Sequence, residues 1–223
     1  MPKSYFSFIP EFDYASRLPD AKTISDSIPV KNLFRRGKLR EDILQDLNYF
    51  TKYKIIGDDR PDNVANELYG NPYLDWIILL SNNMMNVETE WPMTQESFEN
   101  YLLKKYTTDE NIYAAHHYET QEIKNGAGKV ILAKGFEVPK DFTMTYHDEN
   151  TGTEVIATNI TDEISNYTYE ERRENDKRNI FCLKGSYVGL VMNDMDNIMQ
   201  YKPGSTQYVN SKLIKGQKIR LFS

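Results

Sequence analysis

The chain has 223 residues, 39% of them hydrophobic and 27% charged, proportions of a globular protein that exclude collagen, a coiled coil and wholesale disorder. Its 27 basic residues against 33 acidic ones leave a net charge of −6, the wrong sign for neutralising phosphates, which excludes nucleic acid as a partner. A lone Cys182 excludes an internal disulfide and fits assembly in a reducing compartment.

Residues 1–50 read as an aromatic arm, in which Tyr5, Phe6 and Phe8 precede a segment punctuated by Pro10, Pro19 and Pro29. Pro10, Glu11 and Asp13 break any signal-peptide run, and the densest apolar stretch, 76–80, falls far short of the roughly 20 residues of a membrane helix. Membrane is therefore excluded as well. An arm this short cannot bury its own aromatics, so it either wraps on its own domain or lies along a neighbouring subunit. A short helix is expected over 38–50, with Ile43, Leu47 and Phe50 on one stripe. The 16 Tyr and 10 Phe fit both a surface built for interfaces and a β-rich fold.

Residues 51–110 carry the tightest pattern. A strand is expected over 53–56, ending at Gly57-Asp58-Asp59. A helix follows, with Asp59 as N-cap, Pro61 in the first turn, a buried stripe of Val64, Ala65, Leu68 and Tyr69, and Gly70 closing it in the left-handed conformation. Asn71-Pro72 opens a second helix, and Tyr73, Leu74 and 76–80 leave it almost no polar face, so it must be covered on several sides, one of them open to a partner. Asn82 and Asn83 stop it. Trp91-Pro92 is extended, and Thr94 caps an amphipathic helix carrying Phe98, Tyr101, Leu102 and Tyr106. Trp76 is expected in the core, whereas Trp91 beside Pro92 suits an interface anchor.

Over 111–165 the period changes to that of a β insertion, with strands expected at 130–133, 142–146 and 154–158. Residues 166–223 then read as a hairpin from Tyr167-Thr168-Tyr169 through Asn175-Asp176 to Ile180-Phe181-Cys182-Leu183. A helix over 186–201 should turn Leu190, Met195, Ile198 and Met199 inward, before a last strand at 218–222. The fold class expected is α+β.

Motifs that carry chemistry fail one by one. Gly126-Ala127-Gly128-Lys129 lacks the leading Gly and trailing Ser or Thr of a phosphate loop and reads as a turn. Asp194-Met195-Asp196 has Ile198 at the next ligand position of a calcium loop and reads as a solvated helix face. His116 and His117, adjacent on one element, should point apart, and His147 is remote, so no zinc site is expected. Cys182 has no partner His nearby, and Glu88 with Glu90 reads as a solvated loop pair. No catalytic residue, metal or cofactor is expected, and the chain is read as a non-enzyme.

The order of strand, Gly-Asp turn, helix, Tyr-Gly, second helix and Asn pair resembles the LysM module, on Tyr53-Lys54-Ile55-Ile56-Gly57-Asp58, Val64-Ala65, Leu68-Tyr69-Gly70 and Asn82. That resemblance implies a βαα core. Its groove residues would be Tyr53, Ile55, Gly57, Asp58, Asn82 and Asn83, and peptidoglycan is the alternative ligand. A longer string resembles the baseplate wedge protein 53 family of contractile-tail bacteriophages: Tyr5-Phe6-Ser7-Phe8-Ile9-Pro10, Leu68-Tyr69-Gly70-Asn71-Pro72, Trp76 to Asn83, Glu90-Trp91-Pro92 and Lys105-Tyr106. Asp75 departs from its pattern, and the region after Ile112 is enlarged. This resemblance implies a structural subunit of the virion tail baseplate, assembled in the host cytoplasm. It would bridge wedges around the central hub by contacts with other wedge and hub proteins, without carbohydrate. Tyr5, Phe6, Phe8, Tyr73, Trp91 and Pro92 are then the expected partner-binding residues. The closing strand of a LysM module has no counterpart after Trp91-Pro92, and the likeness of Lys215-Gly216-Gln217-Lys218-Ile219 to it is read as chance.

Overall fold

The computed structural model describes residues 3–16, 27–148, 151–204 and 207–215. It divides into two units, one formed by Met1–Trp91 with Asn179–Ser223 and the other by Pro92–Arg178. The chain therefore starts unit 1, builds unit 2 whole, and returns to finish unit 1.

In its first pass unit 1 contains α1 (Tyr5–Phe8), β1 (Glu11–Ala15), β2 (Ser27–Lys31), α2 (Glu41–Gln45), β3 (Phe50–Lys54), α3 (Pro61–Tyr69), α4 (Asp75–Ser81) and α5 (Val87–Glu90). The helix expected over 38–50 is cut short. Asp46 leaves the helical region and its side chain accepts from Asn48 N, so a 3-10 turn over Leu47–Tyr49 leads into β3 and Leu47 is left 69% exposed. The strand expected at 53–56 lies earlier, because β3 pairs along its whole length from Phe50 to Lys54. Asp59 is not the N-cap of α3: Arg60 holds that position without a side-chain bond, and Pro61 starts the helix with a φ already fixed. Gly70 closes α3 at φ +68, and the Asn71 side chain accepts from Tyr73 N ahead of α4.

Unit 2 contains α6 (Gln95–Tyr106), α7 (Asp109–Tyr113), β4 (Ala115–Thr120), β5 (Ile123–Lys124), β6 (Val130–Leu132), β7 (Glu137–Val138), β8 (Met144–Asp148), β9 (Thr153–Ala157), β10 (Thr161–Ser165) and α8 (Asn166–Lys177). Strand order β10-β4-β7 makes one antiparallel sheet, and β5-β6 and β8-β9 are hairpins. Thr94 caps α6 through a bond from Ser97 N, and Phe98, Leu102 and Ile112 form a small apolar core. The hairpin expected from Tyr167 onward is absent, since 166–177 is helical. Ser165 accepts from Thr168 N as N-cap, and the run of Glu, Arg and Lys behind it favours a helix over the strand that three alternating residues implied.

On its return the chain forms β11 (Asn179–Leu183), α9 (Val188–Met199), β12 (Tyr208–Asn210) and β13 (Leu213–Ile214). β11 pairs antiparallel with β3, from Asn179↔Lys54 to Leu183↔Phe50. β1 lies between β2, antiparallel, and β13, parallel, with β12 at the other edge. The buried stripe of α9 is Val191, Met195 and Met199, four residues apart, so Leu190 and Ile198, expected inward, are each 39% exposed. Gly37 sits against this stripe so closely that a Cβ there would clash with Met195 Sδ. The strand expected at 218–222 lies outside the described residues.

Candidate functional site

β3, α3, α4 and β11 form a β-α-α-β unit whose two strands are adjacent in space although unit 2 separates α4 from β11 in sequence. Ile55, Val64, Ala65, Ile77, Ile78, Ile180 and Leu183 are buried in its common core. Asn82, at the end of α4, works as a one-residue strand: its Oδ1 accepts from Phe181 N at 2.8 Å and its Nδ2 donates to Phe181 O at 2.8 Å and to Ile78 O at 2.9 Å. Tyr53 donates its hydroxyl to Glu67 Oε2 at 2.7 Å, and burial together with that carboxylate pushes its pKa up to about 12. Ile55 is buried in the core. Gly57, at φ +56, and Asp58 lie exposed in the turn after β3, and Asn83, at φ 52, is exposed beyond α4. Tyr53 and Asn82 thus meet the same two-stranded sheet, while Gly57, Asp58 and Asn83 occupy turns.

The expected partner-binding residues separate by burial. Tyr5 accepts from Gly37 N at 2.9 Å, and its ring lies 6.2 Å from that of Trp76, which Phe8 meets edge-on at 5.5 Å. Phe8 and Trp91 are buried in unit 1, and Trp91 Nε1 donates to Asp59 O at 2.9 Å, tying down the turn that follows β3. Trp76 is buried as expected. Phe6 and Tyr73, by contrast, are 62% and 64% exposed. Pro92 is half-buried at the start of unit 2. The arm therefore folds onto its own unit, and ion pairs fasten it: Lys3 to Asp196 at 2.7 Å and Arg40 to Asp194 at 3.4 Å. These aspartates are tethers and not merely a solvated face.

Unit 2 buries charge. Glu170 accepts from Lys105 and from Tyr106 at 3.1 Å; desolvation pushes its carboxyl up, but these bonds prevail and hold it below its ordinary value. Glu119 is treated alike by Arg172 at 2.5 Å and His117 at 3.1 Å. His116 and His117 do not point apart, because the register between β4 and β10 shifts beside them, and their Nδ1 atoms lie 2.8 Å from each other. The glycine turn after β5 is held by Asn125 Oδ1, which accepts from Ala127 N and Lys129 N. Among the described residues no three His, Cys, Asp or Glu side chains are grouped to hold a metal, and no helix is long and apolar enough to cross a membrane. Burial raises the Cys182 thiol to about 12.

What surrounds these elements is a scaffold with exposed aromatics, and comparison with known proteins points the same way. The family model of base plate wedge protein 53 matches residues 4–198. The chain belongs to that family. It is also 26% identical over 226 residues to the baseplate wedge protein gp53 of Enterobacteria phage T4, covering 90% of this chain and 98% of that one. As a member of the wedge protein 53 family, the chain is a structural component of a phage tail baseplate. Residues 4–198 take in both the β-α-α-β unit and unit 2, so the enlarged β region lies within the family match. Glu67, Glu170 and the pairing of Phe181 with Asn82 escaped the sequence reading, because each rests on a partner at least fourteen residues away.

Proposed function

We propose that this wedge protein bridges neighbouring wedges around the central hub, through protein contacts made by a LysM-like β-α-α-β unit and the aromatics around it. The observation that carries this reading is the burial contrast within unit 1. Its apolar core is complete, yet Phe6, Tyr73, Ile56 and Met85 remain exposed on the same unit. Large apolar side chains left in water beyond a filled core mark contact surfaces, and permanent assemblies commonly bury more than about 2,000 Å². The test is co-expression with the neighbouring wedge proteins of the same baseplate, followed by native mass spectrometry. Species in which the chain joins two wedges are expected, and wedges that stay separate in its presence contradict the proposal.

Peptidoglycan binding is the second reading, favoured by the strand-helix-helix-strand order. Against it, both N–H donors of the Asn82 amide are taken by Phe181 O and Ile78 O, and the Tyr53 hydroxyl proton by Glu67, so neither side chain has a donor free for a sugar oxygen. Sedimentation of the full chain with insoluble peptidoglycan would support the saccharide reading, and a chain left in the supernatant removes it.

A further inference from the structure

The segment between β2 and α2 presents one side chain almost wholly to water. Phe34 is 94% exposed, and Leu33 beside it is exposed too. A mobile loop could do this by chance, but this loop is pinned. Asn32 Nδ2 donates to the Tyr201 hydroxyl at 2.9 Å, Arg35 N donates to Asn32 O at 3.0 Å, and Gly37 N donates to the Tyr5 hydroxyl at 2.9 Å. The Arg35 guanidinium donates to Ile198 O at 3.3 Å and lies 5.1 Å from the centre of the Tyr201 ring. An aromatic held out on a fixed turn loses little freedom on binding, which is how interface anchors keep their affinity.

The residues that follow Phe34 line two concave, basic hollows. One is an open groove of about 700 Å³ lined by Arg35, Asn197, Ile198, Gln200 and Lys202. The other, of about 270 Å³, is lined by Arg36 and Lys38 with Leu39, Leu44 and Leu80. Lys38 pairs with Glu41, but among the described residues no carboxylate lies within ion-pair distance of Arg35, Arg36 or Lys202. Glu90 feels the charge of Arg36 from beyond ion-pair distance, so in a chain of net charge −6 these cations stand beside exposed apolar surface with no direct carboxylate partner.

We infer that the Phe34 turn and its flanking basic grooves form a docking surface for an acidic segment of another baseplate protein, one that brings an apolar pocket for Phe34 and carboxylates for Arg36 and Lys202. The inference rests on the bridging role proposed above and deepens it. A second copy of this chain and a neutral apolar surface are the rival occupants.

The experiment measures binding of the full chain to the co-expressed wedge assembly, for the wild type, for Phe34→Ala and for the pair Arg36→Glu with Lys202→Glu. All three changed side chains are exposed, so unfolding curves should match the wild type. Each variant is expected to weaken binding by about tenfold or more, and added salt should weaken the wild type while barely affecting the charge-reversed pair. A photo-crosslinking residue at position 34 should couple to a stretch of the partner rich in Asp and Glu. Wild-type binding with unchanged variants overturns this surface and leaves the bridging role standing, whereas no wild-type binding overturns both. Coupling to a second copy of the chain, or to a neutral or basic stretch, also overturns the inference.

Discussion

The two units of this wedge protein are held together by different physics. Unit 1 buries an apolar core running from Phe8 through Trp76 and Ile78 to Met199, and none of its described polar residues is as fully buried as those of unit 2. Among its described residues unit 2 has a small apolar cluster of Phe98, Leu102 and Ile112, with Ile160 and Ile164 buried apart from it, and it buries Glu119, Thr120, Asn125 and Glu170. Burial without direction stabilises the first; satisfied polar networks, which fail steeply when one member is lost, stabilise the second. The difference predicts that the unit carrying the β-α-α-β order is the more tolerant of acid and salt, and the unit inserted into it the less.

The hardest blow to the apolar side is Trp76→Ala, which removes the ring packed against Tyr5 and Phe8 and should cost unit 1 about 3 to 5 kcal/mol in urea unfolding. A loss below about 1 kcal/mol would mean that the arm does not seal this core. Next comes Asn82→Ala, which leaves Phe181 N and O without their partner and should cost about 1 to 3 kcal/mol, seen as faster hydrogen exchange in β11.

Glu170→Gln attacks the polar side. It should destabilise unit 2 by about 2 kcal/mol, since Lys105 regains water and only part of a buried-pair penalty is felt, with hydrogen exchange in α6 and α8 as the readout. The pH dependence follows from the same carboxylates. Glu170 and Glu119 have folded values below their ordinary 4.5, so their contribution is whole above that value and is lost as pH falls through the depressed ones. In unit 1 Asp42 and Glu90 are lowered too, by bonds from Arg40 and from Asn86 N and Met85 N, but on the exposed surface where water replaces a lost partner; buried Asp75 has the opposite sign, raised above 3.8 by desolvation, so protonation relieves its cost. On acidification, exchange should rise in unit 2 before unit 1, and the reverse order would undo the comparison. The smallest effect is Thr94→Ala, about 1 kcal/mol from the α6 cap, confined to unit 2 and checked by thermal unfolding.

Local chemistry was readable from sequence where it is self-contained. At helix ends Gly70, by its left-handed backbone, Asn71 and Thr94, by their side-chain caps, and the Asn82-Asn83 stop act within four residues of themselves, although Asn82 also reaches Phe181. Reading failed where a distant partner decides. Tyr167-Thr168-Tyr169 alternates like a strand, but Ser165 and the buried Glu170 make it a helix, and β11 then pairs with β3, from which it is separated by the whole of unit 2. The two inward positions misjudged on α9 differ by one residue from the true stripe, against which Gly37 packs. Of the residues expected to contact partners, Phe6 and Tyr73 are exposed, whereas Trp91 is buried and serves its own fold through Asp59. The Phe34 turn gave only a faint signal, two large apolar residues followed by Arg35-Arg36, because nothing in sequence tells a pinned loop from a loose one.

An electron cryomicroscopy reconstruction of the assembled tail tests the central claim most directly. The account predicts density for this chain touching two adjacent wedges, with the exposed aromatics of unit 1 covered by protein. Density confined to a single wedge, with those side chains open to solvent, would contradict it.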